Sequence, residues 1–260
     1  MMRSLWISKS GMDAQQVQLD HISNNLANSG TTGYKQAHAQ FEDLMYQTLR
    51  QSGANSSEQT QLPTGLQVGL GVRTVATARD FTQGTLQQTS NNLDVAIQGD
   101  GFFQITLPDG TTGYSRDGSF KLNANGQLVT NNGYLVQGGI NIPPNAQNVT
   151  IGNDGTITVK IPGEAATQEV GRLQLATFVN PGGMDPKGQN IFLETAASGA
   201  PQTGFPNTEN FGALSQGFLE TSNVNVVQEL VTMIQTQRAY ELNSKAIQTA
   251  DQMLQKLGQM

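Results

Sequence analysis

The segment LWISKSGMDAQQVQLDHISNNL, residues 5–26, decides how the chain is read. Leu5, Met12, Leu19 and Leu26 recur every seven residues, and Ile22 falls on the same seam. Such spacing returns side chains to one face of an α-helix, because two turns take about seven residues. Ser8 and Gln15 hold the companion positions, so the seam is imperfect and needs a partner. Asn28-Ser29-Gly30 ends the run, with Gly30 expected to take the left-handed cap conformation. A helix over 3–28 would be a rod of roughly 39 Å.

The other end of the chain repeats this character. A helix is expected to start near Asn223–Asn225, where Asn225 and Gln228 have capping-box spacing and Glu229 suits the positive end of the helix dipole. Its apolar stripe runs Val227, Val231, Ile234, Leu242, Ala246, Ala250, Met253 and Leu257, interrupted by Arg238. A long helix that is only half apolar gains most of its stability from packing. The two terminal helices can pair with each other, with copies of themselves, or fold as a hairpin onto the rest of the same chain.

Between them the sequence changes period. Residues 36–65 are transitional: Phe41, Leu44, Met45 and Leu49 suit either helix or strand, and Gln51–Gly65 is small, polar and punctuated by Pro63, which predicts a flexible loop. Leu66, Val68, Leu70 and Val72 then alternate in the manner of a strand. Short strands are predicted over 102–107, 119–122, 127–130, 134–137, 156–161, 172–179 and 191–194. Asp109-Gly110, Asp117-Gly118, Asn125-Gly126, Asn132-Gly133 and Asp154-Gly155 separate them and supply hairpin turns. The expected core fill is Phe102, Ile105, Phe120, Leu122, Leu128, Leu135, Leu173, Leu175 and Phe178. The fold class is α+β: long N- and C-terminal α-helices pairing as a coiled-coil-like layer, with a mainly antiparallel β middle domain.

Charged residues are only 13% of the 260, against a usual share of about 25%. A net charge of −6 lacks the basic footprint of a nucleic-acid binder, and no basic run addresses anionic lipid. No stretch approaches the roughly 20 apolar residues of a membrane span, so no membrane insertion is expected. Cysteine is absent, which removes disulfides and thiolate chemistry. The N-terminus carries no signal-type apolar region, so any export would leave it uncleaved.

Catalytic and metal constellations are missing. His21 and His38 are the two histidines, and neither stands near a second ligand or a nucleophile motif. The Asp-Gly turns lack the calcium-loop pattern, and Gly65–Gly71 lacks the Gly-Lys-Ser/Thr of a phosphate loop. Asp94 and Asp100 are the carboxylates that a secreted β-rich cell-wall hydrolase would need, with nothing in the sequence to raise a pKa. No cofactor is expected.

Four ordered blocks carry a family resemblance. Asn24-Asn25-Leu26-Ala27-Asn28 with Gly33-Tyr34-Lys35 is close to the N-terminal signature of the bacterial flagellar axial family of rod and hook proteins. Asn91-Asn92-Leu93-Asp94 through Gly101-Phe102-Phe103 resembles its central motif, and Tyr114-Ser115-Arg116-Asp117-Gly118 continues it. The stretch from Ser222-Asn223-Val224 through Gln237-Arg238-Ala239-Tyr240 is also of family type. Within the family, the length and Gly69-Leu70-Gly71-Val72-Arg73 are most similar to distal-rod members, with proximal-rod and hook-type members as the alternatives.

The resemblance implies residues 1–34 with 221–260 as a helical core, 35–80 as a connecting region containing the loop 51–65, and 81–220 as an outer β domain. It implies a helical homopolymer in the flagellar basal body, spanning periplasm to outer membrane, a rigid hollow shaft exported by the flagellar type III apparatus. Implied partners are other copies, other rod subunits, hook protein, the rod or hook cap and the surrounding rings. Asn25 and Asn28 are expected to satisfy the last carbonyls of the first helix or to bridge to the C-terminal helix. Gly33 is expected to turn the chain outward and Tyr34 to anchor that turn. Gln51, Gly53, Pro63 and Gly65 mark the segment expected to limit sliding between subunits.

Overall fold

The computed structural model describes residues 2–53, 55–57, 60–61, 63–162 and 166–258. The chain divides into two compact units. The first holds residues 1–27, 37–78 and 225–260, and the second holds 28–36 and 79–224.

In the first unit, α1 spans Met2–Ala27 and α2 spans Val226–Gly258. The start of α2 is set by Asn225, whose Oδ1 accepts the N–H groups of Val227 and Gln228 at 3.1 and 3.2 Å. This side-chain cap satisfies two of the donors that a helix leaves open at its first turn. The helices pack against each other, and Gly11 of α1 lies beside the Asn243 side chain of α2.

Strands β1 (Ala37–Asp43), β2 (Tyr46–Arg50), β3 (Asn55–Ser57), β4 (Thr60–Gln61), β5 (Leu66–Gly69) and β6 (Val72–Arg79) complete this unit as antiparallel or two-stranded pairs: β1 with β6, β2 with β5, β3 with β4. The alternation from Leu66 to Val72 is therefore two strands rather than one, broken at Gly71 with φ +119°. The transitional stretch around Met45–Leu49 resolves as strand, not helix. The loop 51–65 contains the short β3–β4 hairpin, and its residues 54, 58–59 and 62 lie outside the described residues.

Asn25, near the end of α1, uses its carboxamide as a backbone substitute. Nδ2 donates to the Ala37 carbonyl at 2.8 Å, and Oδ1 accepts the Ala37 N–H at 3.1 Å. The Asn25 carboxamide thus makes a two-point clamp on the first residue of β1, a contact that the sequence reading did not anticipate. Residue 25 is 2% exposed, so both bonds are shielded from water.

The second unit is β-rich. Its strands are β7 (Leu86–Gln88), β8 (Val95–Gln98), β9 (Phe102–Thr106), β10 (Thr112–Ser115), β11 (Lys121–Leu122), β12 (Leu128–Val129), β13 (Leu135–Val136), β14 (Asn148–Ile151), β15 (Thr156–Lys160), β16 (Gln168–Arg172), β17 (Leu175–Thr177), β18 (Asp185–Gly188), β19 (Ile191–Leu193), β20 (Gln202–Gly204), β21 (Ala213–Gln216) and β22 (Phe218–Glu220). A nine-stranded sheet runs β11-β12-β13-β9-β10-β19-β18, with β17 and β20 attached beside β9. A three-stranded sheet β14-β15-β16 and the pairs β8–β21 and β7–β22 accompany it. The strand expected over 172–179 is split into β16 and β17.

Alternation along β9 divides its residues between two apolar clusters. Phe103 and Ile105 enter the large core with Phe120, Leu128, Leu173 and Leu175, while Phe102 joins Tyr114, Phe178 and Phe192 on the other face. Two expected core residues lie elsewhere. Leu135 sits opposite Thr106 while Val136 sits opposite Ile105, so the pleat turns Val136 inward and leaves Leu135 39% exposed. Leu122 belongs to the edge strand β11 and is 40% exposed.

The turn after α1 also differs from expectation. Gly30 does not take a positive φ; Gly33 does, at +68°. Thr31 N–H donates to the Asn28 carbonyl at 3.1 Å, and Thr31 Oγ1 bonds Asn28 Oδ1 at 3.2 Å, so the reversal is spread over Asn28–Gly33. A Cβ at Gly33 would come within 2.8 Å of the backbone of Arg116 and Asp117. Gly33→Ala is expected to lower unfolding stability by about 1–3 kcal/mol, through the disfavoured backbone conformation and this clash. Urea titration would show it as a fall in midpoint at unchanged slope.

Candidate assembly surfaces

Three segments of the β-rich unit meet at one buried carboxylate. Lys35 Nζ donates to Glu220 Oε1 at 2.6 Å and to the Thr82 carbonyl at 2.7 Å. The Gly84 N–H also donates to Glu220 Oε1, at 2.8 Å. Arg116 Nη1 reaches Glu220 Oε2 at 3.4 Å, and its Nη2 donates to the Gly99 carbonyl at 2.8 Å. Lys35 and Glu220 are each 1% exposed and Arg116 is 3% exposed. Burial pushes the Lys35 amine below its ordinary value, and the Glu220 carboxylate opposes that push. Arg116 is pushed down by burial too, with Glu220 and Asp100 pulling the other way.

Asn223 fastens the same three segments. Its Oδ1 accepts the Gln36 N–H at 2.8 Å, and its Nδ2 donates to the Asp80 and Thr82 carbonyls at 2.9 and 3.3 Å. The Glu220 carbonyl accepts the N–H of Gly33 at 2.8 Å. Residues 33–36, 79–84 and 220–223 are thereby tied together, and Tyr34 is buried among them. Sequence reading singled out Gly33 and Tyr34 but not Lys35, Arg116 or Glu220. The available signal was weak: three charges in a chain poor in charge, two of them inside family-type motifs.

The first unit presents a different surface. Ile22 is buried and Leu5, Met12, Leu19 and Leu26 are half-buried in α1, while Asn24 and Ala27 are exposed and Asn28 is half-buried. In α2 the covered line is Glu229 and Thr236, both buried, with Asn243 and Ala250, half-buried, spaced by seven and flanked by Met233, Ile247 and Leu254. The expected stripe lies largely on the opposite side. Val227, Ile234 and Leu242 are 72%, 56% and 67% exposed, and Val231, Ala246 and Met253 are exposed as well. Ala250 alone of the described stripe side chains falls in the covered line; the Leu257 side chain lies outside the described ones. Leu230 adds to the outward face. At about 100° per residue, the outward line at 227, 231 and 234 stands roughly 180° from the inner line at 229, 236 and 243.

The β2–β5 pair is similarly open. Every residue of β2 is exposed, including Tyr46 and Leu49, and Leu66 of β5 is half exposed. Gln51, Gly53, Pro63 and Gly65 are all exposed. An isolated two-stranded pair is marginal in water, so this arm gains from a covering surface.

Reactive groups do not converge among the described residues. No group of three or more His, Asp or Glu that could hold a metal occurs among the described residues. His21 Nε2 pairs with Thr77 Oγ1 at 3.3 Å, and Asp94 Oδ1 accepts from Asn91 Nδ2 at 2.8 Å, both ordinary structural contacts. No described helix is long and apolar enough to cross a membrane.

Long terminal helices, an uncovered apolar helix face and a β unit held by a buried charge cluster suit an assembling structural subunit. Comparison with known proteins agrees. A family model described as flagella basal body rod protein matches residues 5–35, one described as flagellar hook protein FlgE/F/G D1 domain matches 96–159, and one described as flagellar basal body rod FlgEFG protein C-terminal matches 215–260. The flagellar basal-body rod protein FlgG of Buchnera aphidicola subsp. Schizaphis graminum is 57% identical over 260 residues, covering 100% of both chains. Its namesake in Borreliella burgdorferi is 50% identical over 256 residues, 98% of this chain and 97% of its own. The Bacillus subtilis protein of that name is 40% identical over 263 residues, 99% of this chain and 98% of its own. The chain belongs to the flagellar basal-body rod protein family. It is a structural subunit and not an enzyme.

Removing the central carboxylate tests the charge cluster. Glu220→Leu leaves two cations buried without their anion and is expected to cost about 3–5 kcal/mol. The triple variant Lys35→Met, Arg116→Met, Glu220→Leu should recover most of that loss, because no unpaired charge remains. Urea midpoints of the two variants check both expectations.

Proposed function

We propose that copies of this chain stack helically into the distal rod of the flagellar basal body, forming a rigid hollow shaft that carries torque to the hook and passes later subunits through its channel. The observation that carries this reading is the outward line Val227, Leu230, Val231 and Ile234 on α2. Burying one such side chain stabilises by roughly 1.5–3 kcal/mol, so a few per contact, repeated in every copy, sustain a polymer. A contact between different patches on successive copies need not close, and builds a filament.

In this assembly residues 1–34 with 221–260 form the inner layer, with the terminal helices of neighbouring copies paired in coiled-coil fashion along the seams. Residues 35–80 connect that layer to an outer wall made by 81–220. The exposed arm from β2 to β5, with Gln51, Gly53, Pro63 and Gly65, is gripped between neighbours and limits sliding. The subunit leaves the cytoplasm through the flagellar type III apparatus with its N-terminus uncleaved, and the shaft runs from periplasm to outer membrane. Its partners there are other rod subunits, hook protein, the rod or hook cap and the surrounding rings; nucleic acid is not among them. Identity at 50–57% with proteins named FlgG supports the distal over the proximal or hook-type assignment.

Val227→Asp with Ile234→Asp should abolish tubes in electron micrographs while leaving the monomer's thermal midpoint unchanged, since both side chains already face water. Normal tubes from that variant would sink the proposal. Deleting residues 51–60 should yield a polymer of shorter persistence length, and an unchanged bending stiffness would remove the arm's role.

A further inference from the structure

Both terminal helices carry a second, outward line of residues spaced by seven. On α1, Trp6, Asp13, Asp20 and Ala27 are all exposed. On α2, Val231, Arg238, Lys245 and Gln252 are all exposed as well. At about 100° per residue, Asp13 stands roughly 160° around α1 from Gly11, the residue beside Asn243 of α2, so the first line points away from its own partner helix. The second line likewise opposes the covered line of Glu229, Thr236 and Asn243. Asp13, Asp20, Arg238 and Lys245 make no ion pair among the described residues. Two carboxylates seven apart on one outward face and two cations seven apart on another form a matched set, in a chain with only 13% charged residues.

The two helices run antiparallel within one chain. Gly11 lies beside Asn243, and residues 33–36, just past α1, bond residues 220–223, just ahead of α2. Copies that all point one way along a filament therefore set α1 of one antiparallel to α2 of the next. In that sense Asp20 meets Arg238 while Asp13 meets Lys245, and the same register sets Ala27 against Val231 and Trp6 against Gln252. Other charges on these faces meet neutral residues: Lys9 faces Thr249 and Glu241 faces Val17. A slip of seven residues, about 10.5 Å, keeps one of the two charge pairs. Slipped one way, Asp13 meets Arg238 and Asp20 meets Val231; slipped the other, Asp20 meets Lys245 and Asp13 meets Gln252.

We propose that α1 of one copy docks on α2 of a second copy through these outward lines, in the register Asp13–Lys245 and Asp20–Arg238. The inference rests on the helical stacking proposed above and adds the partner surface and its register. Val231 and Ile234 supply apolar contact over Ala27 and Asn24, and Trp6 is covered near the end of α2. Exposed ion pairs add little affinity, but like charges brought together are penalised, so the two pairs select register more than they drive association. Arg238, a break in the apolar stripe of α2 when the sequence is read alone, becomes one of the residues that fix the match.

Because the chain has no cysteine, engineered thiols test the register directly. Full-length Asp13→Cys and Lys245→Cys chains, mixed under polymerising conditions and oxidised, should form a disulfide-linked dimer. Its yield should be at least about tenfold that of Asp13→Cys mixed with Arg238→Cys, because a disulfide needs Cα atoms within about 7 Å. Asp13→Lys with Asp20→Lys should raise the critical concentration for tubes at least about fivefold at low salt, where charges are least screened. Adding Arg238→Asp and Lys245→Asp to that chain should restore it to within about twofold of the parent. Emission of Trp6, the single tryptophan, should shift to the blue when the parent assembles. Equal yield from the slipped cysteine pair, no rescue by the swapped charges, or unshifted Trp6 emission would overturn the register. Tubes of the parent without an Asp13–Lys245 link would overturn this contact and leave helical stacking in place, whereas a parent that never forms tubes would remove both.

Discussion

The Glu220 carboxylate is the constraint on which the β-rich unit depends. It accepts from Lys35, Arg116 and the backbone of Gly84. Lys35 comes from the segment after α1, Gly84 from the segment after β6 and Arg116 from the turn after β10, while Glu220 itself lies ahead of α2. The arrangement is costly on its own terms, since three ionised groups leave water. What it supplies is position: Lys35 also holds the Thr82 carbonyl, Arg116 also holds Gly99, and Gly33 is bonded to the backbone of Glu220 itself. A purely apolar patch of equal area would be more forgiving of sliding, because apolar contact has no direction.

Much of the architecture was legible in the chain because periodicity reports burial. Seven-residue spacing marked α1 and capping residues marked α2. The Gly-containing turns at 109–110, 125–126, 132–133 and 154–155 marked hairpins, where the glycines take positive φ. Other features followed from pairing that no single segment reveals. Leu135 looks like a core residue, yet register with Thr106 turns it outward. Asn25 looks like a helix-end residue, yet it clamps β1. The charge cluster was illegible for the same reason: Lys35, Arg116 and Glu220 are ordinary surface residues until the fold brings them together.

The helix α2 shows how a correct pattern acquires its meaning only in three dimensions. Its apolar residues were visible, but a single chain would be expected to bury them. Instead the covered line carries Glu229, Thr236 and Asn243, all polar, and the apolar line faces outward. Polar residues at buried helix positions weaken a contact while narrowing the registers it can adopt. The monomer thus contents itself with a modest, selective contact and leaves its most adhesive surface uncovered.

The bond between Lys35 and Glu220 closes across 185 residues of sequence. Joining chain points so far apart carries a large entropic cost, and contacts of long sequence separation slow folding. Lys35 lacks its carboxylate partner until the last strand of the β unit is in place. The Lys35–Glu220 contact therefore requires the last strand of the β unit: a chain ending before residue 220 lacks the carboxylate, while segment 33–36 keeps its bonds to residues 79–82. A lysine buried without that carboxylate is destabilising, so the cluster disfavours an incomplete β unit.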